Sequence, residues 1–276
     1  MIKLLAVDMD GTCLAGRGIM TDETLTALQQ AADQGIIVVP TTGRNLFCLP
    51  YRLAQRGSSL YRYCISSNGG RVTDIVKKKT LFRAMLPKDT ALEILEKCRP
   101  LPLGLASHMN HRYLIQGRPF ARMGRIIYGR DAQGICCVKN MYGSIKNSRH
   151  EVEELQLYFA GPGARKKVRR VLENIPGISA AYTGIYVEIF SENASKGTAL
   201  AALAQHLGIR TEEIACIGDG ENDLSMFRVS GLKIAMGNSV AALKAQADHV
   251  TADHRHDGVA RAIHRYILPE RDVYVP

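Results

Sequence analysis

The 276-residue chain has no apolar run near the roughly 18 residues that a membrane-crossing helix needs, so a protein that spans a membrane is not expected. The N-terminus lacks the separate basic, apolar and small-residue regions of a signal peptide: the run Ile2–Val7 is short and meets Asp8 at once. There is no C-x-x-C pair, and the seven cysteines, at 13, 48, 64, 98, 136, 137 and 216, are odd in number. Both facts argue against a disulfide framework and for reduced thiols, as in a cytoplasmic protein. Acidic residues are in deficit, 26 Asp+Glu against 36 Lys+Arg, and the net charge of +10 admits nucleic acid, an anionic membrane surface or an anionic small substrate as partner.

What the chain does have is a repeated strand–polar turn–helix design. Ile2–Val7 reads as a buried parallel strand, and Asp8-Met9-Asp10-Gly11-Thr12 stands at its carboxyl end, where open α/β sheets place ligands. Residues two apart in a strand share a side, so Asp8 and Asp10 would crowd unless Gly11 turns the chain or a divalent metal lies between them. An ordinary polar turn is the competing reading for this stretch alone. Thr21-Asp22-Glu23-Thr24 opens a helix that ends at Gly35, Ile36–Val39 is a second strand running into Thr41-Thr42-Gly43-Arg44, and Tyr63–Ser67 is a third, followed by Asn68-Gly69-Gly70 and a hairpin to Phe82.

From Ala84 to Ile185 the pattern changes to a helix near Lys88, short strands near 104–107, 112–115, 155–160 and 178–182, and a helix over 164–174; residues 119–150 give no clear pattern. This stretch reads as an inserted second domain, with 1–83 and 186–276 forming one core. It holds 16 Lys+Arg against 8 Asp+Glu, so most of the positive excess lies there, much of it in Arg165, Lys166, Lys167, Arg169 and Arg170. Such a cluster is usually a solvated helix face and otherwise attracts anions. After the insertion, Tyr186–Phe190 reads as a core strand, Ser195-Lys196-Gly197 opens a helix, and Glu213–Gly218 ends in Asp219-Gly220-Glu221-Asn222-Asp223. A strand at 232–236 and helices over 240–247 and from Asp257 to about Tyr266 complete the pattern.

The strand ends, read as DMDGT, TTGR, SKG and GDGEND, resemble in order and context the four motifs of the haloacid dehalogenase (HAD) superfamily, and in particular its Cof-type phosphatases. Ser66-Ser67-Asn68-Gly69, Ala235-Met236-Gly237-Asn238 and Asp248–Ala260 strengthen the match. The resemblance implies an α/β fold: a Rossmann-like parallel-sheet HAD core with an inserted α/β cap at 84–185 that sets substrate specificity. It further implies an Mg²⁺-dependent phosphatase acting on a small phosphorylated metabolite, a sugar phosphate or a phosphorylated cofactor. In that scheme Asp8 is the nucleophile, giving an aspartyl-phosphate, and Asp10 is the acid and base. Thr42 and Lys196 hold the phosphoryl oxygens. Asp8, the Asp10 carbonyl, Asp219, Asn222 and Asp223 form the Mg²⁺ site, directly or through water, while Gly11, Gly43, Arg44 and Asn68 are candidates for substrate contact.

A phosphomutase using the same nucleophile is the alternative within this chemistry. A non-catalytic anion or nucleic-acid binder using the basic cap is the alternative outside it. The +8 of the insertion suggests a substrate with anionic character beyond the transferred phosphate. His108, His111, His254 and His256 lack further ligands at metal-binding spacing, and Cys13 and Cys136-Cys137 read as packing residues.

Overall fold

The computed structural model describes residues 1–15 and 18–268. Five parallel strands form the core sheet in the order His249–Val250, Leu232–Ala235, Ile214–Gly218, Leu4–Val7, Ile37–Pro40. Leu4–Val7 is buried throughout. Because side chains alternate across a strand, Leu5 and Val7 pack with Leu25, Leu28 and Ala31 of the helix Asp22–Asp33. Leu4 and Ala6 face the other way, onto Ala199, Leu200 and Leu203 of the helix Lys196–Leu207. A strand covered on both faces must be apolar at every position, and its polar residues collect at its end. The chain crosses from Leu4–Val7 to one neighbour, Ile37–Pro40, and later returns to the other, Ile214–Gly218, so the carboxyl end of Leu4–Val7 is a topological switch point.

The polar helix starts read from the sequence are caps in the structure. Thr21 Oγ1 accepts from the Thr24 N–H at 3.1 Å, and Ser195 Oγ accepts from the Thr198 N–H at 3.0 Å. The Tyr63–Ser66 strand joins the core through a parallel bridge between Thr41 and Ile65, and pairs with Arg71–Asp74 and Lys79–Arg83.

The insertion is a six-stranded sheet in the order Ile135–Val138, Arg112–Gln116, Leu103–Met109, Val152–Phe159, Tyr186–Ser191, Ile178–Tyr182. The helices Lys88–Cys98, Met141–Lys146 and Ala164–Leu172 cover one face through Ile94, Ile145, Val168, Leu155, Leu157 and Val187. The period of two sends Gln156, Tyr158, Tyr186 and Glu188 to the opposite face, toward the core. The segment that gave no pattern holds the helix Arg118–Tyr128, the strand Ile135–Val138 and the helix Met141–Lys146.

One boundary is corrected. Tyr186–Ser191 was expected to open the second core segment at 186, but it pairs antiparallel with both Val152–Phe159 and Ile178–Tyr182. The inserted sheet therefore runs to Ser191, and the core resumes with the helix at Lys196. A half-buried alternating strand reads the same in either sheet, and only its distant partner decides. No helix among the described residues is long and apolar enough to cross a membrane.

Asn110 and His111 take φ of 52° and 62° in the two-residue turn between Leu103–Met109 and Arg112–Gln116, the backbone a tight hairpin needs. Next to that turn, His108 is 2% exposed, and burial pushes its pKa down to about 4 against the opposing pull of Glu153. A histidine kept neutral in the folded state takes up its proton on unfolding, so its contribution is intact above about pH 6.5 and lost as pH falls toward 4. The His108 contribution falls by about 2 kcal/mol between about pH 7.5 and pH 5, and chemical denaturation is expected to read it as the difference in pH dependence between wild type and His108→Gln.

Candidate active site

Asp8 ends the first core strand, and Gly11 turns the chain there with φ of +84°. A Cβ at Gly11 would stand 2.3 Å from Asp219 Oδ2, so only glycine lets this loop close on Asp219. Asp219 follows the neighbouring strand Ile214–Gly218, its Oδ1 accepts from Thr12 Oγ1 at 2.9 Å, and its Oδ2 accepts from Asn238 Nδ2 at 3.2 Å. Lys196, at the first turn of its helix, reaches under both loops: Nζ donates to Asp8 Oδ1 at 2.5 Å and to Asp223 Oδ1 at 2.7 Å. Asp223 Oδ2 also accepts the backbone N–H groups of Asp219 and Gly220 at 2.9 and 3.0 Å.

Oxygens of Asp8, Asp219 and Asp223 all lie within 4.8 Å of one another. Lys196 is 1% exposed and Asp223 fully buried, so two carboxylates, Asp8 and Asp223, share one ammonium out of water, with the half-buried Asp219 beside them. Burial pushes the Asp8 carboxyl well up and Asp223 pushes the same way, while Lys196 pulls it down. Against its own burial, Lys196 is held charged by Asp223 and Asp8. The ionised site carries a surplus of negative charge behind hard oxygen donors, a donor set that suits a small divalent cation. Asp8 and Asp219 are the better placed to ligate, because Asp223 already accepts three hydrogen bonds.

The remaining sequence candidates surround this group. Thr42 is fully buried, and its Oγ1 accepts from the Arg44 N–H at 3.1 Å, leaving its own proton without an acceptor among the described residues. Arg44 clamps Asp10, with Nε and Nη2 each 2.7 Å from a carboxylate oxygen, and reaches Asp131 of the inserted domain through Nη1 at 2.7 Å. Gly43, Arg44 and Asn68 line a cavity of about 970 Å³ between core and insertion, whereas Gly11 backs onto Asp219. Asn222 donates to Asn68 Oδ1 at 3.1 Å.

Several neighbours were given no role by the sequence. Thr12 and Asn238, each within a quoted motif, hold Asp219, and the His254 N–H donates to Asn238 Oδ1 at 3.0 Å, which gives the histidine loop a supporting role. Asp131, Glu154 and Glu188 come from the insertion, which offered no motif. The basic cluster does not line the cavity: Arg165, Lys166, Lys167, Arg169 and Arg170 are exposed, while Ala164, Val168 and Leu172 of the same helix face inward. The expected anion-attracting role of that cluster at the site is therefore not supported, and the helix face is a solvated one.

A family model for haloacid dehalogenase-like hydrolases matches residues 5–263. The chain belongs to this family. Among relatives of this HAD-like hydrolase, the 5-amino-6-(5-phospho-D-ribitylamino)uracil phosphatase YcsE of Bacillus subtilis is 26% identical, over 97% of this chain and 96% of that protein. The HMP-PP phosphatase of Klebsiella pneumoniae is 27% identical over 97% and 96%. A solved haloacid dehalogenase-like hydrolase from Bacteroides thetaiotaomicron superposes with a TM-score of 0.85 at 25% identity, covering 96% of this chain and 99% of that one. The HAD-like chain is accordingly a hydrolase with an α/β core and an inserted cap.

Removing the shared ammonium leaves buried carboxylates unpaired. Lys196→Met is expected to lower stability in metal-free buffer by about 3–5 kcal/mol in urea denaturation, and adding Asp223→Asn to recover part of that loss.

Proposed function

We propose that this hydrolase is an Mg²⁺-dependent phosphatase that hydrolyses a small phosphorylated metabolite, a sugar phosphate or a phosphorylated cofactor, through an aspartyl-phosphate on Asp8. The observation that carries the reading is the buried Asp8–Lys196–Asp223 group beside Asp219 at the floor of the cavity. The two curated relatives, each named for a phosphorylated compound, support the substrate class.

Lys196 fixes Asp8 Oδ1, which leaves Oδ2 to attack phosphorus in line. As the P–O bond to the leaving group breaks, Asp10 delivers its proton to the departing oxygen. A water molecule, losing its proton to Asp10, then cleaves the acyl phosphate and restores the Asp8 carboxylate. Before the first step, Asp10 must exchange its contact with Arg44 for one with substrate and take up from water the proton that it delivers. The free O–H of Thr42 and the third N–H of Lys196 are the donors for the phosphoryl oxygens. Asp8, the Asp10 carbonyl and Asp219, with Asn222 and Asp223 behind them, are the residues for Mg²⁺. Bound there, the ion offsets the repulsion between the Asp8 carboxylate and the phosphoryl group.

Phosphate release from a panel of phosphorylated metabolites should require Mg²⁺ and stop with chelator. Asp8→Asn should release none, and equal release by wild type and mutant would overturn the mechanism. Asp10→Asn should lose on the order of 10²-fold or more in kcat yet still bind Mg²⁺ by calorimetry, since the ion needs only its carbonyl.

A further inference from the structure

The roof of the cavity is built from the core-facing side of the inserted sheet, and its hydrogen bonds can be accounted for atom by atom. Asn68 Nδ2 donates to Glu154 Oε2 at 3.2 Å and to Glu188 Oε2 at 3.1 Å, so one core amide joins two cap carboxyls. Gln156 donates through Nε2 to Glu154 Oε1 at 2.6 Å. Its Oε1 accepts from Tyr113 and Tyr158 at 2.5 and 3.1 Å, and those two hydroxyls also meet at 2.7 Å. The Tyr186 hydroxyl donates to Glu188 Oε1 at 3.4 Å. Ser67 Oγ gives its one proton to Glu153 at 2.9 Å, so its contact with His108 Nδ1 at 3.2 Å makes that nitrogen the donor. A neutral His108 then presents a bare lone pair at Nε2.

Apart from the second N–H of Gln156 Nε2, these protons are spent within the roof. What it offers besides that N–H is acceptors: the Glu188 carboxylate, His108 Nε2 and the phenol oxygens of Tyr158 and Tyr186, whose rings stack at 4.8 Å. Glu154 is fully buried, and burial together with Glu188 pushes its carboxyl well up; burial raises Glu188 too, but less, because Asn68, Tyr186 and Lys196 pull it down, so of the two Glu154 takes the first proton. Of the lining arginines, Arg44 keeps Nη1 on Asp131 when Asp10 turns to substrate, Arg52 pairs with Asp22, and Arg130, exposed at the cavity edge, lies over the Tyr51 ring at 5.6 Å. Asn68 also touches Asn222 beside the acidic floor, which sets Glu188 one side chain away from it.

We propose that this roof selects a phosphomonoester whose leaving group carries a protonated amine, with Glu188 as the specificity-determining residue that accepts its hydrogen bond. The proposal rests on the phosphatase reading. It reverses the expectation from the basic charge of the insertion, because a second anionic group would face a carboxylate.

The test compares kcat/KM for three small esters of one shape, aminoethyl, hydroxyethyl and carboxymethyl phosphate, and for a hexosamine phosphate beside its parent hexose phosphate. Wild type is expected to favour the ammonium compound about tenfold over the hydroxyl one in at least one series, the worth of replacing a neutral hydrogen bond by a charge-assisted one, and to rank the carboxylate last. Glu188→Gln should bring the amine-to-hydroxyl ratio toward one, a comparison made within a single variant. Equal or reversed preference in a wild-type enzyme that turns over p-nitrophenyl phosphate overturns the assignment and leaves the phosphatase reading standing. No Mg²⁺-dependent turnover of p-nitrophenyl phosphate overturns both.

Discussion

The Lys196 ammonium, held between Asp8 and Asp223 out of water, is the contact on which the rest of the site depends. Its three members come from the first strand end, the helix that follows the insertion and the turn after Ile214–Gly218, so it forms only when both core segments have met. A buried charge without its partner costs several kcal/mol, which makes the arrangement close to all-or-none. The surrounding devices serve it. Gly11 lets the first loop approach Asp219, Thr12 and Asn238 orient Asp219, and two backbone N–H groups saturate Asp223. The carboxylates keep their positions despite mutual repulsion because each is tied by a donor that has no better acceptor.

The contact between core and insertion has a different character. It is made by polar side chains around the cavity: Arg44 to Asp131, Asn68 to Glu154 and Glu188, Arg71 to Glu153. Most hydrophobic packing stays within each unit, with separate clusters for the core faces and for the helix-covered face of the cap sheet, and the crossing is local: Cys48 is buried among Ala106, Tyr113 and Ile115 of the cap. Polar contacts of this kind can be exchanged for water or substrate at small net cost, whereas apolar area cannot. Arg44 and Asn68, two of the core residues that bridge to the cap, also border the catalytic carboxylates, so substrate entry and cap contact draw on the same donors.

The core was legible because buried parallel strands write themselves as apolar runs with polar ends. Asp8, Thr42 and Asp219 each stand at such an end, and Lys196 follows a Ser195 cap. The cap was less legible, since a sheet with one face on helices and one on a wet cavity uses an alternating pattern that names neither its partner nor its register. Tyr186–Ser191 was misassigned for that reason, and the polar side of Val152–Phe159 carried no sign that Glu154 and Gln156 face a cavity. The basic helix is the solvated face that such a cluster usually is, because Val168 and Leu172 set which way it turns.

The sequence by itself determined the family, the parallel core and the identity of the four polar strand ends, because those are local features fixed by burial period and turn chemistry. Only the tertiary structure decided that Lys196 joins Asp8 to Asp223, that Arg44 occupies Asp10, and that the cap sheet turns acceptors to the cavity while its basic helix faces solvent. Those facts depend on residues up to 188 positions apart being brought within hydrogen-bond distance, and no local pattern encodes such a distance.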